Sequence, residues 1–304
     1  MPILALLSGF SGLATTKQVF EWIDPNGNHT VLNTPWDYDG RFMPPVEYLS
    51  DKLPGRDGEF FRSVRHTPRT IKIPVYITAG CQYTSADLRV SVRDLVNAMD
   101  PSNGIGTLRV TNPGGDQREL PCRYLSGLEF PEKFGSTSSL NLQKVTINLI
   151  AHQPYWQGIN PTINDFTTGV PVLFFPIFPL RLASSQVFTS TTINNPGNKP
   201  SWPLWRIVGP GSVIKLSNLT TGQKLEFSNA GGLILGVGES IYIDTSEGIK
   251  TATRNDNTNL FKYLSNDSTM WAIPPGDSSM ELQMAGATID SSLRLEYTPT
   301  YLTV

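Results

Sequence analysis

Apolar side chains occupy every second position from Ile71 to Ile77, the period of a strand with one buried face. The same period marks Val19 to Ile23, which runs into the turn sequence Asp24-Pro25-Asn26-Gly27 before Val31 and Leu32, and predicts a hairpin. Gly106 to Thr111 and Arg118 to Leu125 predict two more strands about the turn Asn112-Pro113-Gly114-Gly115, with Leu120, Cys122 and Tyr124 on one face. Leu140 to Ala151 alternates through Leu142, Val145, Ile147 and Leu149, with a phase change after Leu142 that a β-bulge would absorb. The period lengthens to that of a helix once. Leu88, Val92, Leu95, Val96 and Met99 share one helical face, Thr84 and Asp87 form a capping box, and Asp100-Pro101 stops the run, so a helix over 84–99 is predicted. Residues 34–60, rich in proline, glycine and charge, have no period and read as a long loop.

Past Pro154-Tyr155-Trp156 the pattern breaks off and resumes near Thr191 as short strands. These are Leu204–Val208, Val213–Leu216, Lys224–Phe227, Ser240–Ile243, Ser279–Met284 and Leu293–Tyr297, separated by glycine turns such as Ala230-Gly231-Gly232 and Pro274-Pro275-Gly276. Strands at that spacing predict a jelly-roll or similar sandwich. The organisation expected is therefore a β-sandwich with one flanking helix over 1–157, an aromatic and proline-rich connecting segment over 158–190, and a second β-sandwich over 191–304. Phe174, Phe175 and Phe178 would be costly to leave in water, so the connecting segment is expected to pack between domains or subunits.

Composition supports a mainly β chain. Twenty-six glycines and 24 prolines in 304 residues suit many short strands joined by tight turns. A net charge of −2 with no basic block argues against sequence-specific nucleic-acid binding. No apolar run reaches the ~20 residues of a membrane span, and the apolar start, Met1 to Leu7, lacks the basic flank of a signal peptide. Two cysteines, Cys81 and Cys122, make no disulfide framework, and Cys122 is expected to be a buried free thiol made in a reducing cytoplasm.

Candidate chemistry is sparse. Asp244 in Ile241-Tyr242-Ile243-Asp244-Thr245-Ser246 resembles an aspartic-protease strand, but no second such strand supplies the partner carboxylate, and a turn-forming role fits better. His29, His66 and His152 have no metal-ligand spacing, and no phosphate loop or nucleophile elbow occurs. No catalytic residue, cofactor or metal is expected. Trp271 is a candidate for stacking on a sugar, with a core position the blander alternative. Arg65 and Arg69, with Arg62 and His66, form a basic cluster read as a surface for inter-subunit or inter-domain packing.

The order of these landmarks resembles the distal tail (Dit) proteins of long-tailed bacteriophages. The residues that carry the resemblance are Arg65-His66 and Arg69, the helix ending at Asp100-Pro101, Gly106-Thr107-Leu108, Arg118 to Tyr124 and Pro154 to Trp156. In the second half they are Asn194 to Gly197, Trp202-Pro203-Leu204-Trp205, the Asn218–Gly222 turn, Gly238 to Asp244 and the Pro-Pro-Gly turn at Gly276. Phe174 to Arg181 is similar to a segment of the actinobacterial branch. The resemblance implies a non-enzymatic virion protein. It implies a hexameric ring between the tail tube protein and the tail-tip hub, with the tape measure and receptor-binding proteins as further partners. It also implies a tube-related first domain and a galectin-like or carbohydrate-module-like second domain. An adhesion module that binds host-surface carbohydrate is the alternative. A fragment of 1–157 is expected to keep the ring contacts.

Overall fold

The computed structural model describes residues 17–35, 38–55, 57–79, 84–129, 133, 135, 139, 141–167 and 187–304. The chain is mainly β, with one α-helix among the described residues, and it divides into two compact units. Unit one comprises Met1–Ile159 and Tyr301–Val304, and unit two comprises Asn160–Thr300. The described strands are numbered β1 to β20 in chain order.

Unit one is built on an eight-stranded sheet in the order β2-β1-β6-β7-β8-β5, with β9 on β7 and β20 on β9. Strands β1 (Val19–Ile23) and β2 (His29–Leu32) form the hairpin read from the alternation. Asp24 closes its turn by accepting backbone N–H bonds from Asn26 at 2.9 Å and Asn28 at 2.8 Å, and Gly27 takes the left-handed φ of 83° that the turn requires. Strands β6 (Gly106–Thr111) and β7 (Gln117–Ser126) follow, and β5 (Arg69–Thr78) lies along β8 (Leu142–Ala151) in ten unbroken pairs. The bulge expected within β8 does not interrupt that pairing. Buried Gln143 holds the phase and bonds the Lys144 carbonyl, while Leu142 sits half-exposed; the register irregularity falls on the β7–β8 side, between Tyr124 and Ser126.

The inner face of this curled sheet carries Phe20, Trp22, Ile71, Ile73, Val75, Leu108, Leu120, Cys122, Ile147 and Leu149, all buried. Helix α1 (Ser85–Ala98) covers part of it with Leu88, Leu95 and the C-cap residue Met99. Its capping box forms as the sequence predicts, with Thr84 and Asp87 each accepting the other's backbone N–H. Val96, assigned to the same apolar stripe, is exposed, so the buried stripe is narrower than the hydrophobic one. Trp22 reaches past the sheet to donate to the Ala98 carbonyl at 2.7 Å, and a Cβ on Gly106 would lie 2.2 Å from its ring. A glycine is therefore required where β6 passes under the indole.

Residues 46–60, within the 34–60 stretch read as a loop, belong with 61–66 to a second hairpin of β3 (Val46–Lys52) and β4 (Glu59–His66) that pairs with no other strand among the described residues. Alternation could not reveal it because neither face is buried: every residue of β4 up to Arg65 is exposed.

Unit two is a sandwich of two five-stranded sheets, of order β10-β19-β12-β16-β17 and β11-β18-β13-β14 with β15 on β13. The six strands legible in the sequence are β12 (Leu204–Val208), β13 (Gly211–Asn218), β14 (Gln223–Glu226), β16 (Ser240–Asp244), β18 (Gly276–Ala285) and β19 (Ser292–Tyr297). Strands β15 (Ile234–Leu235) and β17 (Thr251–Arg254) add to the edges. Trp205, Ile207, Ile241, Ile243, Leu293 and Leu295 from one sheet pack on Ile214, Leu216, Met280, Leu282 and Met284 from the other. Two elements depart from the expected connecting segment. Strands β10 (Thr162–Thr167) and β11 (Val187–Asn195) are integral strands of the two sheets, paired with β19 and β18. The remaining strands of unit one are β9 (Trp156–Gly158) and β20 (Thr300–Tyr301), whose Tyr301 belongs to unit one.

Candidate functional site

The β3–β4 hairpin presents apolar side chains to solvent on both faces. Tyr48 and Val64 are cross-strand partners, and Phe61 opposite Ser50 shares their face, with the Tyr48 and Phe61 rings 6.3 Å apart edge to face. Tyr48 is 70% exposed and Phe61 64%, against ordinary burial for rings of that size. Leu49 and Phe60, also exposed, lie on the opposite face. Ion pairs run beside them: Arg65 donates to Glu47 at 2.7 and 2.8 Å, Arg62 pairs with Asp51, and Lys52 lies 3.2 Å from Glu59. Bonds from Ser50 and Lys52 hold the Glu59 carboxyl below its usual range. A two-stranded ribbon without a packed face is marginal alone, and this one is pinned by solvent-exposed charge pairs worth little individually.

Arg65 thus lies on the hairpin, but Arg69 does not join it. Arg69 opens β5 on the core side, is 1% exposed, and donates to the carbonyls of Gly40 at 3.3 Å, Arg41 at 2.9 Å and Leu302 at 2.7 Å. Burial pulls its guanidinium down to about 10. The basic surface cluster read at Arg65 and Arg69 is therefore corrected: Arg69 is an internal tie of unit one, because strand alternation turns it inward with Ile71 and Ile73. Arg118 is a second tie that the sequence did not single out. It lies on the core side of β7 with Leu120 and Cys122, donates to the Thr303 carbonyl at 2.5 Å, and stacks on the Tyr301 ring at 3.8 Å.

Trp271 is also corrected. It is 2% exposed within the core of unit two, edge to face with Trp205 at 5.6 Å, and so presents no ring face to a sugar. Asp244 is the turn former expected, its carboxylate accepting the Ser246 N–H at 2.8 Å. Cys122 is buried, and its thiol is pushed up to about 12 by desolvation. Phe174, Phe175 and Phe178 lie outside the described residues. His29 pairs with Glu21 at 3.1 Å and His66 bonds the Tyr155 hydroxyl at 2.9 Å, so these two are engaged in separate local contacts. Among the described residues no group of three His, Cys, Asp or Glu side chains is arranged to hold a metal, and no helix is long and apolar enough to cross a membrane.

No family model and no curated protein matches the chain. Among solved structures, the distal tail protein Dit of phage SPP1, described as a paradigm of the hub adsorption apparatus in phages infecting Gram-positive hosts, superposes with a TM-score of 0.63. The match covers 93% of this chain and 99% of that one at 15% identity. The chain has the fold of a phage distal tail protein. A component of the phage P2 baseplate in its activated, calcium-bound conformation aligns over 95% of this chain at 12% identity, with a TM-score of 0.45. The likeness to the SPP1 distal tail protein spans both units, so it reaches the hairpin-bearing unit and the sandwich alike.

Proposed function

We propose that the chain is a structural protein of a phage tail, a ring of six copies joining the tail tube to the tail-tip hub, with unit one making the ring. The observation that carries this reading is the β3–β4 hairpin, whose Tyr48 and Phe61 rings are largely exposed in a single copy. Covering Tyr48, Phe61 and Val64 with a neighbouring copy would contribute on the order of 1.5–3 kcal/mol each. Heterologous contacts of this kind close into a ring when the rotation permits. The fold shared with the SPP1 distal tail protein supports the tail-tip setting. Unit two, read as a galectin-like sandwich, then serves as a platform for host-recognition components of the virion. The tube protein, hub, tape measure and receptor-binding proteins are the partners this reading names. The carbohydrate-binding alternative loses the residue on which it stood, since Trp271 is a core side chain.

The test is the mass of the purified full chain by light scattering, with negative-stain images. A closed ring is expected, and a monomer at every concentration up to the solubility limit, in the presence of the tube protein as well, overturns the reading. Tyr48→Asp with Phe61→Asp should return the protein to monomers while both units keep their melting transitions.

A further inference from the structure

We infer that residues 301–304 are a closing strap for unit one, so that this unit stays incomplete until the whole of unit two has been made. Unit two occupies the chain between Ile159 and Tyr301, and the four residues after it return to unit one. There Tyr301 extends β20 alongside β9, which itself pairs with β7 through Arg118–Gly158 and Glu119–Gln157. The strap is held by two arginines that the strand period turns toward the core, Arg69 at the start of β5 and Arg118 near the start of β7. A buried guanidinium must find acceptors for its N–H groups. Arg69 takes the Leu302 carbonyl at 2.7 Å in addition to those of Gly40 and Arg41, and Arg118 takes the Thr303 carbonyl at 2.5 Å. The Arg118 guanidinium also sits over the Tyr301 ring at 3.8 Å, and Tyr301 and Val304 pack against the core of unit one. Trp156 at the head of β9 is buried and bonds the Arg41 carbonyl at 3.0 Å, so the 40–41 turn, β9 and the strap share one set of contacts.

The strap is gripped through its backbone carbonyls at Leu302 and Thr303, and through a ring only at Tyr301. Translation delivers these residues after the 141 residues of unit two, Asn160 to Thr300. A nascent unit one therefore has Arg69 on the Gly40 and Arg41 carbonyls and Arg118 beside Asp116 at 3.2 Å, and lacks the Leu302 and Thr303 carbonyls until then. The consequence for assembly rests on the ring reading above: a chain stopped short of the strap is not competent to associate. The grip itself does not depend on that reading.

Hydrogen exchange on the full chain tests the grip. Replacing 301–304 by Gly-Ser-Gly-Ser should speed exchange at least tenfold in residues 39–41, 118–119 and 156–158, and leave β12, β16 and β19 unchanged. A synthetic peptide of sequence 299–304 added in trans should restore the protection. Arg118→Ala and Arg69→Met should reproduce part of the loss, while Leu302→Ala and Thr303→Ala, which keep the carbonyls, should behave as the parent. Unchanged protection in the replaced chain overturns the strap, as does a Leu302→Ala effect as large as that of Arg118→Ala. If the replaced chain does not fold, the four point variants decide by the same contrast. For assembly, the full chain should form rings and the replaced chain should not. Rings of equal yield from both overturn the timing role, whereas a full chain that never forms rings fails the ring reading and leaves the exchange result standing.

Discussion

Single side chains set the most direct expectations. Trp271 fills the core of unit two against Trp205. Its replacement by alanine should cost about 3–5 kcal/mol, read as a lower urea midpoint for unit two alone. Cys122 is protonated in the native protein because burial holds its thiol up to about 12, whereas an unfolded thiol ionises near ~8.5. The native state therefore binds this proton more tightly, and its contribution to stability is complete below about pH 8.5 and falls as pH rises toward 12. Between pH 8.5 and 10 the parent should lose about 1.5 kcal/mol more than Cys122→Ala does, measured by urea titration at both values. Cys122 should also resist alkylation until urea opens unit one, as peptide mapping would show. The burial of Cys122 was legible because Leu120 and Tyr124 share its period. The two arginines follow the same rule: Arg69, buried, and Arg118, half-buried, sit at core-facing positions of β5 and β7. A charge on the apolar phase of a strand was the available sign, and charge alone misdirected the reading of Arg69 toward the surface.

At the scale of elements, legibility follows burial. Helix α1 announced itself by its capping box, and Thr84→Ala should cost about 1 kcal/mol in the stability of unit one, read by chemical denaturation. Strands β5, β12, β16 and β19 each bury one face and alternate accordingly. The β3–β4 hairpin buries neither, so its sequence alternates in nothing that a period can detect. Its signal was instead the density of rings, Tyr48, Phe60 and Phe61, among charges that pair across the strands. Strand β10 was missed for a related reason. It is an edge strand with Ile163 exposed and a bidentate Asp165–Arg294 pair on its outer side, and an edge carries less apolar patterning than the strands it flanks.

For the whole molecule, the two units were visible as two stretches of alternation, but the crossing back after Thr300 was not, since four residues are too few to show a period. That crossing changes what a fragment should do. A chain of 1–157 ends within β9 and lacks the strap, so it should melt below unit one of the intact protein. Joining 1–159 to 300–304 through a short Gly/Ser linker should recover the melting temperature, as scanning calorimetry would measure. The ring expected of the 1–157 fragment thereby passes to this relinked form.

Strands β10 and β19 are antiparallel neighbours, with Thr162 opposite Tyr297, so unit two leaves and rejoins the chain at adjacent strand ends. In unit one, β9 and β20 are likewise paired where the chain departs and returns. Neighbouring strands lie about 4.8 Å apart, so both sides of the junction ask for termini set close together. In evolutionary terms such an insertion is open to exchange as a cassette. Any compact domain with its ends side by side could be exchanged into the same slot without redrawing unit one. Under the tail role proposed above, such an exchange would alter what unit two presents while the scaffold that carries it stays the same.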